Sequence, residues 1–176
     1  YRKWEVFGVE LNEKARKKAE NRLKTTVFEK LDDVKIEQKF DAISLWHVLE
    51  HLPEPNKVLE KLHNHALPGA ALILGLPNRE SHDASHYKEF WAAYDVPIHF
   101  WHFTKRDIDR IAKNTGWELE TIKPMYLDAF YVSLLSESYR TGRKRWVSAF
   151  IRGLISNFKG GESNTSSLIY VLRKKS

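Results

Sequence analysis

The feature that most constrains this chain is an alternation between short apolar runs and amphipathic polar stretches. Residues 70–76 are apolar at every position except Gly75, as expected for a strand that is buried on both faces of a parallel sheet. Phe40–Trp46 is a second apolar run, and Ala15, Ala19 and Leu23 keep a helical spacing between such runs. Alternating strands and helices predict an open, mostly parallel α/β sheet.

Capping and chain-breaking residues set the predicted boundaries of these elements. We predict strands over 4–9, 26–28, 40–46, 70–76, 117–122 and 167–172. A first helix, Glu13–Leu23, is capped by Asn12, and a second is opened by Pro53 and Pro55 and stopped by Pro68 and Gly69. A third helix, over 105–114, is capped by Thr104 and ended by Gly116. The segment 77–102 between them has no clean periodicity, which is more typical of a functional segment than of a simple connection.

Composition excludes several classes of protein. The chain has 176 residues, which suits one domain, and it contains no cysteine, so disulfides, thiolate metal sites and a cysteine nucleophile are excluded. The lack of cysteine suits a reducing compartment, and we expect a cytoplasmic protein. The net charge of +6 favours anionic partners without identifying one.

In open α/β sheets, ligands bind at the carboxyl ends of the strands. Glu10 follows the first predicted strand, where a carboxylate can accept hydrogen bonds from the two ribose hydroxyls of a nucleoside. The same acid could instead simply stabilise the start of the following helix. After Phe40–Trp46 comes the block His47-Val48-Leu49-Glu50-His51, which concentrates groups able to move a proton.

Five short segments occur in order with natural spacing: Val9-Glu10-Leu11-Asn12, Phe40-Asp41-Ala42-Ile43, His47-Val48-Leu49-Glu50-His51, Leu67-Pro68-Gly69-Ala70 and Leu76-Pro77-Asn78. Together they resemble the class I S-adenosylmethionine-dependent methyltransferases, most closely the bacterial branch with ubiquinone-type O-methyltransferases. His99-Phe100-Trp101-His102-Phe103-Thr104 also fits that branch. The resemblance covers about 4–122 and the last strand. It implies a Rossmann-like sheet, mostly parallel with an antiparallel C-terminal strand, and S-adenosylmethionine as cofactor.

The family's glycine-rich loop and central first strand, which precede the acid that corresponds to Glu10, have no counterpart here. We therefore expect residues 1–176 to be one methyltransferase-like domain, the C-terminal part of a longer enzyme, that lacks its first strand. A helical basic insertion at about 128–161 would interrupt this domain. The absence of the loop leaves a non-catalytic interaction module as an alternative.

By resemblance, Glu10 with Leu11 would bind the ribose, and Asp32, with Asp33 as its competitor, would meet the adenine amine. Leu45, Trp46 and His47 would line the cofactor near its sulfonium. His47, Glu50 and His51 would face the methyl acceptor. An acceptor that is a hydroxyl or a protonated amine needs a general base. For that role His51 is our first choice and His47 the second.

The same block also suggests metal binding, because His47-x-x-Glu50-His51 matches the inverted zinc-protease motif. That motif needs an uninterrupted helix, which Pro53 and Pro55 disfavour. The small-RNA 3′-end methyltransferases hold a divalent ion with a similar cluster and a distant histidine. We expect no metal here, but if one binds, the ligand set would be His47, Glu50, His51 and His99.

The aromatic-rich segment supplies Tyr94, His99 and Trp101, which would contact the acceptor unless the aromatic side chains form a hydrophobic plug. The insertion carries a large apolar stripe from Trp146 to Phe158 among Arg140, Arg143, Lys144, Arg145, Arg152 and Lys159. Packing of the stripe against the sheet edge or a sister subunit is the favoured interpretation. A lid over the acceptor and peripheral attachment to anionic lipid are the others.

The sequence thus predicts an S-adenosylmethionine-dependent methyltransferase that acts on a small-molecule or lipid-like acceptor, with a homodimer as one way of covering the stripe. The alternatives are the non-catalytic module and an RNA methyltransferase. The latter follows from the basic insertion with its aromatic residues, although we do not favour nucleic acid as a partner.

Overall fold

The computed structural model describes residues 4–35, 37–143 and 145–175. The chain divides into two compact units, Tyr1–Lys39 and Phe40–Ser176, which are described here one at a time. Lys144 of the predicted basic cluster lies outside the described residues.

The first unit is a small β-α-β arrangement. Strands β1 (Gly8–Val9) and β2 (Val27–Phe28) pair in parallel around helix α1 (Glu13–Leu23). The Asn12 side chain accepts the Ala15 amide at 3.0 Å, which confirms the predicted cap.

The predicted strand over 4–9 is wrong for its first half, because only Gly8 and Val9 pair with β2. The Thr25 hydroxyl donates a hydrogen bond to the Val6 carbonyl and so takes an acceptor that a ladder would use. Trp4 and Val6 are exposed. Apolar residues without a neighbouring strand therefore do not extend β1.

The second unit contains a four-stranded sheet with helices around it. Its elements are β3 (Phe40–Trp46), α2 (Pro55–His65), β4 (Ala66–Pro77), α3 (His82–Tyr87), α4 (Lys105–Asn114), β5 (Trp117–Pro124), α5 (Asp128–Thr141), α6 (Trp146–Gly160) and β6 (Ser167–Lys174). Short 3₁₀ turns cover Leu49–His51, Lys88–Phe90 and Ala92–Tyr94.

The sheet order is β3-β4-β6-β5, with β3 parallel to β4 and β6 antiparallel to both of its neighbours. This topology confirms a mostly parallel sheet with an antiparallel C-terminal strand. Its core is built from leucines of adjacent strands, such as Leu72 and Leu74 of β4 and Leu172 of β6, which are fully buried. The arrangement leaves the carboxyl ends of β3 and β4 side by side, at Trp46 and Gly75.

Pro68 and Gly69 do not stop a helix, as the sequence predicted, but lie inside β4. Helix α2 starts at Pro55 and ends at His65, and β4 begins at Ala66. Phe40 pairs with Ala66 and Ala42 with Ala71, so the extra residues of β4 form an irregularity between these pairs. Gly69 supplies the positive φ of 76° that this irregularity requires.

The predicted helix over 105–114 is confirmed, with Thr104 and Asp107 in a reciprocal capping box. In the aperiodic segment 77–102, the structure adds α3, capped by the Ser81 side chain. Among the described residues, no helix has the length and apolar character to cross a membrane.

The insertion folds as two helices in contact, α5 and α6, and α6 contradicts one part of the favoured interpretation, the packing of the stripe against the sheet edge. The other part, cover by a sister subunit, stays a prediction. Helix α6 buries the small residues Ala149, Gly153, Ser156 and Gly160 and exposes the large ones. Packing of the large apolar stripe against the sheet edge is therefore wrong. The reason is the close approach of the helices: a Cβ on Gly153 would lie 2.7 Å from Cδ1 of Phe130 and 3.1 Å from its Cα.

We predict that Gly153→Ala destabilises the chain. Overpacking costs about 1–3 kcal/mol, and the better helix propensity of alanine returns about 1 kcal/mol, so we expect a net loss of up to about 2 kcal/mol. Urea unfolding followed by circular dichroism measures this difference. Leu154→Ala, on the exposed side of the same helix, is the control and should change stability by less than about 0.5 kcal/mol. A Gly153→Ala variant that is about 1 kcal/mol more stable than the wild type would show only the gain in helix propensity and would contradict the packing.

Candidate functional site

The chain turns sharply at the end of β3, where His47 has a positive φ of 51°. A non-glycine residue in this region stores about 1–3 kcal/mol of strain, which persists only where the surroundings fix it. The His47 amide is fixed by donating to the carbonyl of Gly75 at 2.9 Å. The 3₁₀ turn Leu49–His51 then brings Glu50 back beside His47.

His47 and Glu50 form a hydrogen-bonded pair. The distance from His47 Nδ1 to Glu50 Oε1 is 3.2 Å, and the Glu50 side chain is fully buried whereas that of His47 is 36% exposed. A carboxylate only accepts hydrogen bonds, so Nδ1 donates and Nε2 keeps a lone pair while the ring is neutral. The sequence predicted both residues, and their i,i+3 spacing produces the contact.

The pKa of His47 is raised above its ordinary value, mainly by the hydrogen bond to Glu50. Burial opposes this shift, and the negative charges of Asp128 and Glu50 reinforce it. Asp128 begins α5 and was not among the predicted site residues. Its influence on His47 depends on tertiary folding, and no local pattern indicates it.

The backbone of Glu50 connects this turn to the segment that contains His99. Its carbonyl accepts the amides of Phe100 at 2.9 Å and Trp101 at 3.3 Å. The Trp101 indole donates to the carbonyl of Leu52 at 2.9 Å, while its ring stays largely exposed. Trp101 is thus held beside the His47–Glu50 turn, and its contact with an acceptor stays a prediction.

His51 and His99, 48 positions apart in sequence, meet at the same place. Their ring centroids are 4.5 Å apart in an edge-to-face arrangement. His51 Nδ1 lies 3.3 Å from the carbonyl of Ile98, and His99 Nδ1 lies 2.9 Å from that of Ala93. Both Nδ1 atoms therefore donate, and both Nε2 atoms are free to accept a proton or a metal.

Three of the four hypothetical metal ligands are close together. One donor atom each from Glu50, His51 and His99 lies within 4.8 Å of the others, and His47 is not part of this group. Glu50 Oε2 is buried without a hydrogen-bond partner among the described residues. Such a donor set could hold a divalent cation.

Tyr94 is packed rather than free. Its ring makes edge-to-face contacts with Trp91 and His102, each with a centroid distance of 5.1 Å. His102 Nε2 lies 2.9 Å from the Tyr94 carbonyl. The predictions did not include His102, although the segment His99 to Thr104 contained the signal.

The residues predicted to line the cofactor in this unit are Leu45, Trp46 and His47, and the first two differ in exposure. Leu45 is buried at 8% exposure in the core of the sheet, whereas Trp46 is 48% exposed. A Cβ on Gly75 would lie 2.6 Å from Cε3 of Trp46. The neighbouring strand therefore needs glycine at this position for the indole to lie flat against it.

In the first unit, Glu10 Oε1 accepts the amide of Asn12 at 2.8 Å, directly after β1. Leu11 is exposed, and Asp32 lies exposed in the 3₁₀ turn Leu31–Asp33. Carboxylates in these positions can accept hydrogen bonds from the hydroxyl and amine groups of a nucleoside.

Residues 1–122 match the family model described as a methyltransferase domain. A search of curated protein sequences gives no match. Three solved structures are similar over nearly the whole chain. A SAM-dependent methyltransferase from Thermotoga maritima is 15% identical, with 96% of this chain and 72% of that chain covered and a TM-score of 0.61.

A SAM-dependent methyltransferase from Archaeoglobus fulgidus is 17% identical, with 96% and 75% of the two chains covered and a TM-score of 0.58. The mycolic acid cyclopropane synthase CmaA1, solved as a complex with SAH and CTAB, is 11% identical, with 96% and 70% covered and a TM-score of 0.61. At these identities the structures show a common fold. The family model spans well over half of the chain, and the chain therefore belongs to the methyltransferase domain family, with S-adenosylmethionine as its methyl donor.

Proposed function

We propose that this domain methylates a small-molecule or lipid-like acceptor that must lose a proton, such as a hydroxyl or a protonated amine. The observation that carries the proposal is the hydrogen-bonded pair of His47 and the buried Glu50 at the carboxyl end of β3. A histidine oriented by a carboxylate is a common form of general base.

We also propose that the chain belongs to the ubiquinone-type branch, because the segments His47–His51 and His99–Thr104 resemble that branch.

S-adenosylmethionine supplies an activated methyl group when it is bound, and positioning accounts for most of the remaining acceleration. In this proposal His47 Nε2 takes the proton of the acceptor, and Glu50 keeps the ring oriented and stabilises the imidazolium. His51 ranked first from sequence. We now favour His47, because its partner is a buried carboxylate that raises its pKa, whereas the hydrogen-bond partner of His51 among the described residues is a backbone carbonyl.

The proposed acceptor class rests on the surface next to this pair. Val96, Ile98, Phe100 and Trp101 are exposed apolar residues of the segment that carries His99. An apolar acceptor would cover them. CmaA1, which shares the fold, is a mycolic acid cyclopropane synthase, so the fold accommodates a lipid-related acceptor in at least that protein.

For the cofactor we propose Glu10 as the residue that binds the ribose hydroxyls, with Leu11 beside it and Asp32 toward the adenine amine. The residue types of the first unit fit, because Glu10 and Asp32 offer carboxylate acceptors. A cytoplasmic location and the organisation of 1–176 as one domain also remain proposals.

Glu10→Ala should weaken the binding of S-adenosylmethionine about tenfold or more, because each charge-assisted hydrogen bond contributes about 1.5–3 kcal/mol. Calorimetry on wild-type and variant proteins of identical length measures this loss. Glu13→Ala is the matched control, since Glu13 is an exposed acid of α1 paired with Lys17. Unchanged affinity in Glu10→Ala would contradict the assignment.

The pKa of His47 should lie above its ordinary value of 6.5 and should fall in Glu50→Gln. The variant removes the negative charge that strengthens this hydrogen bond, whereas burial, which lowers the pKa, stays. NMR titration of histidine ring protons in EDTA-containing buffer measures both values, and His47→Gln assigns the signal. An identical His47 pKa in wild type and Glu50→Gln would contradict the pairing.

A divalent cation bound by Glu50, His51 and His99 is the second candidate feature, favoured by the unpartnered Glu50 Oε2. Our proposal of a metal-free proton transfer predicts that EDTA leaves the melting temperature unchanged. A decrease with EDTA that Mg²⁺ or Zn²⁺ reverses in the wild type but not in His99→Gln would instead establish the cation site.

The acceptor class is tested with methyl-labelled S-adenosylmethionine added to separate lipid, small-molecule and RNA extracts. We expect label in the lipid or small-molecule fraction and at least about a hundredfold slower transfer by His47→Gln, as is typical for loss of a general base. Label in RNA would favour the RNA methyltransferase. No label in any fraction, despite tight cofactor binding, would favour the non-catalytic module.

A further inference from the structure

Helix α6 exposes a continuous apolar surface. Val147, Ile151, Leu154 and Phe158 follow one another at steps of four, three and four residues, so they lie on one side of the helix. All four are exposed, from 48% for Leu154 to 91% for Phe158. We call this side the outer face of α6. Trp146 and Phe150, which are also exposed, widen it on one flank.

The outer face cannot become buried by rotation of the helix within the chain. The opposite side consists of small residues that allow α5 to approach closely, and Phe130 occupies the space that a larger residue than Gly153 would need. The large apolar side chains therefore point away from the second unit. Exposed apolar area of this extent on a helix generally marks an interaction surface.

Basic residues lie near the outer face, and we call them the basic rim: Arg143 before the helix, and Arg145, Arg152 and Lys159 within or beside it. Helix α6 itself contains neither aspartate nor glutamate. The nearby Glu137 is fully buried and already pairs with Arg140 at 2.8 Å. Among the residues that the structure describes, none of the four rim side chains pairs with an acid, so the rim carries positive charge without a partner.

A cleft of about 470 Å³ lies along the rim, lined by His82 and His86 of α3 and by Arg152, Leu154, Phe158 and Lys159 of α6 among others. His86 Nε2 is buried there without a hydrogen-bond partner among the described residues. The cleft combines cationic and imidazole groups with apolar walls. This combination suits the phosphate and the first methylenes of an anionic lipid.

We propose that α6 is an interfacial helix that lies flat on an anionic phospholipid bilayer. The outer face would enter the boundary between headgroups and acyl chains, and the basic rim would meet the lipid phosphates. The proposal goes beyond the proposed methyl transfer and does not depend on it, because membrane binding is measured without any acceptor.

A second copy of the chain fits the outer face less well. In a symmetric dimer each surface meets its own duplicate, so two basic rims would come together with no acid on α6 to neutralise them. An anionic bilayer supplies the opposite charge. The distribution of charge therefore favours lipid as the occupant.

Cosedimentation of the 176-residue protein with vesicles tests the proposal. We expect binding to phosphatidylcholine vesicles that contain about 30% phosphatidylglycerol, at least about tenfold weaker binding to pure phosphatidylcholine, and weaker binding at high salt. Ile151→Ser/Phe158→Ser and Arg152→Gln/Lys159→Gln should each lower the affinity at least about tenfold. Leu23→Ser, an exposed apolar residue of α1, is the matched control and should bind like the wild type.

Circular dichroism melting of both double variants checks that they are folded, which we expect since none of the substituted residues is buried. Failure of the wild type to bind anionic vesicles, or wild-type affinity in both double variants, would overturn the proposal. A dimer in sedimentation velocity that Ile151→Ser/Phe158→Ser abolishes, without vesicle binding, would also overturn it and assign the outer face to a second copy.

Discussion

The arrangement of the candidate site depends on one buried carboxylate, Glu50. Removing a charged group from water costs several kcal/mol unless partners compensate, so a fully buried glutamate fixes the groups around it. Its side chain holds His47, and its carbonyl accepts the amides of Phe100 and Trp101. Glu50 therefore joins the end of β3 to the segment that carries His99. The strained backbone of His47 persists because this network and the carbonyl of Gly75 hold it.

Local signals accounted for much of the fold. The caps at Asn12 and Thr104, the strand Phe40–Trp46 and the apolar run of β4 could be predicted because each depends on neighbouring residues in sequence. The late start of β1 at Gly8 and the bulge at Pro68 and Gly69 could not be predicted, because the limits of a strand depend on which neighbouring strand it pairs with. The packing of the α6 stripe against the sheet edge was predicted wrongly for a similar reason. Its amphipathic pattern showed which residues share a side, but the direction depends on Phe130 of α5.

The candidate site also contains residues that the sequence predicted and one that it missed. His47, Glu50 and His51 are contiguous, so their proximity could be predicted from the motif. His99 was identified through a resemblance, and the fold brings it to His51. Asp128 was missed because it reaches His47 from the start of α5, which no spacing in the sequence indicates. The roles of these residues remain proposals, whereas membership of the methyltransferase family rests on the match over 1–122.

The proposed roles of the site and of α6 are compatible. Apolar acceptors partition into membranes, and a domain held on an anionic bilayer by α6 would meet them at high local concentration. The two proposals still stand on different residues of the second unit. Loss of lipid binding would leave the chemistry of His47 and Glu50 unaffected.

The most direct test of the central claim, that Glu50 sets the proton affinity of the group that deprotonates the acceptor, is the pH dependence of methyl transfer at saturating substrate. The neutral form of His47 is the active one, so the rate should rise with pH along a one-proton limb centred on the raised His47 pKa. In Glu50→Gln that limb should move to lower pH and the maximal rate should fall. A limb that stays at the same pH in Glu50→Gln, or a rate that is independent of pH in the wild type, would contradict the account.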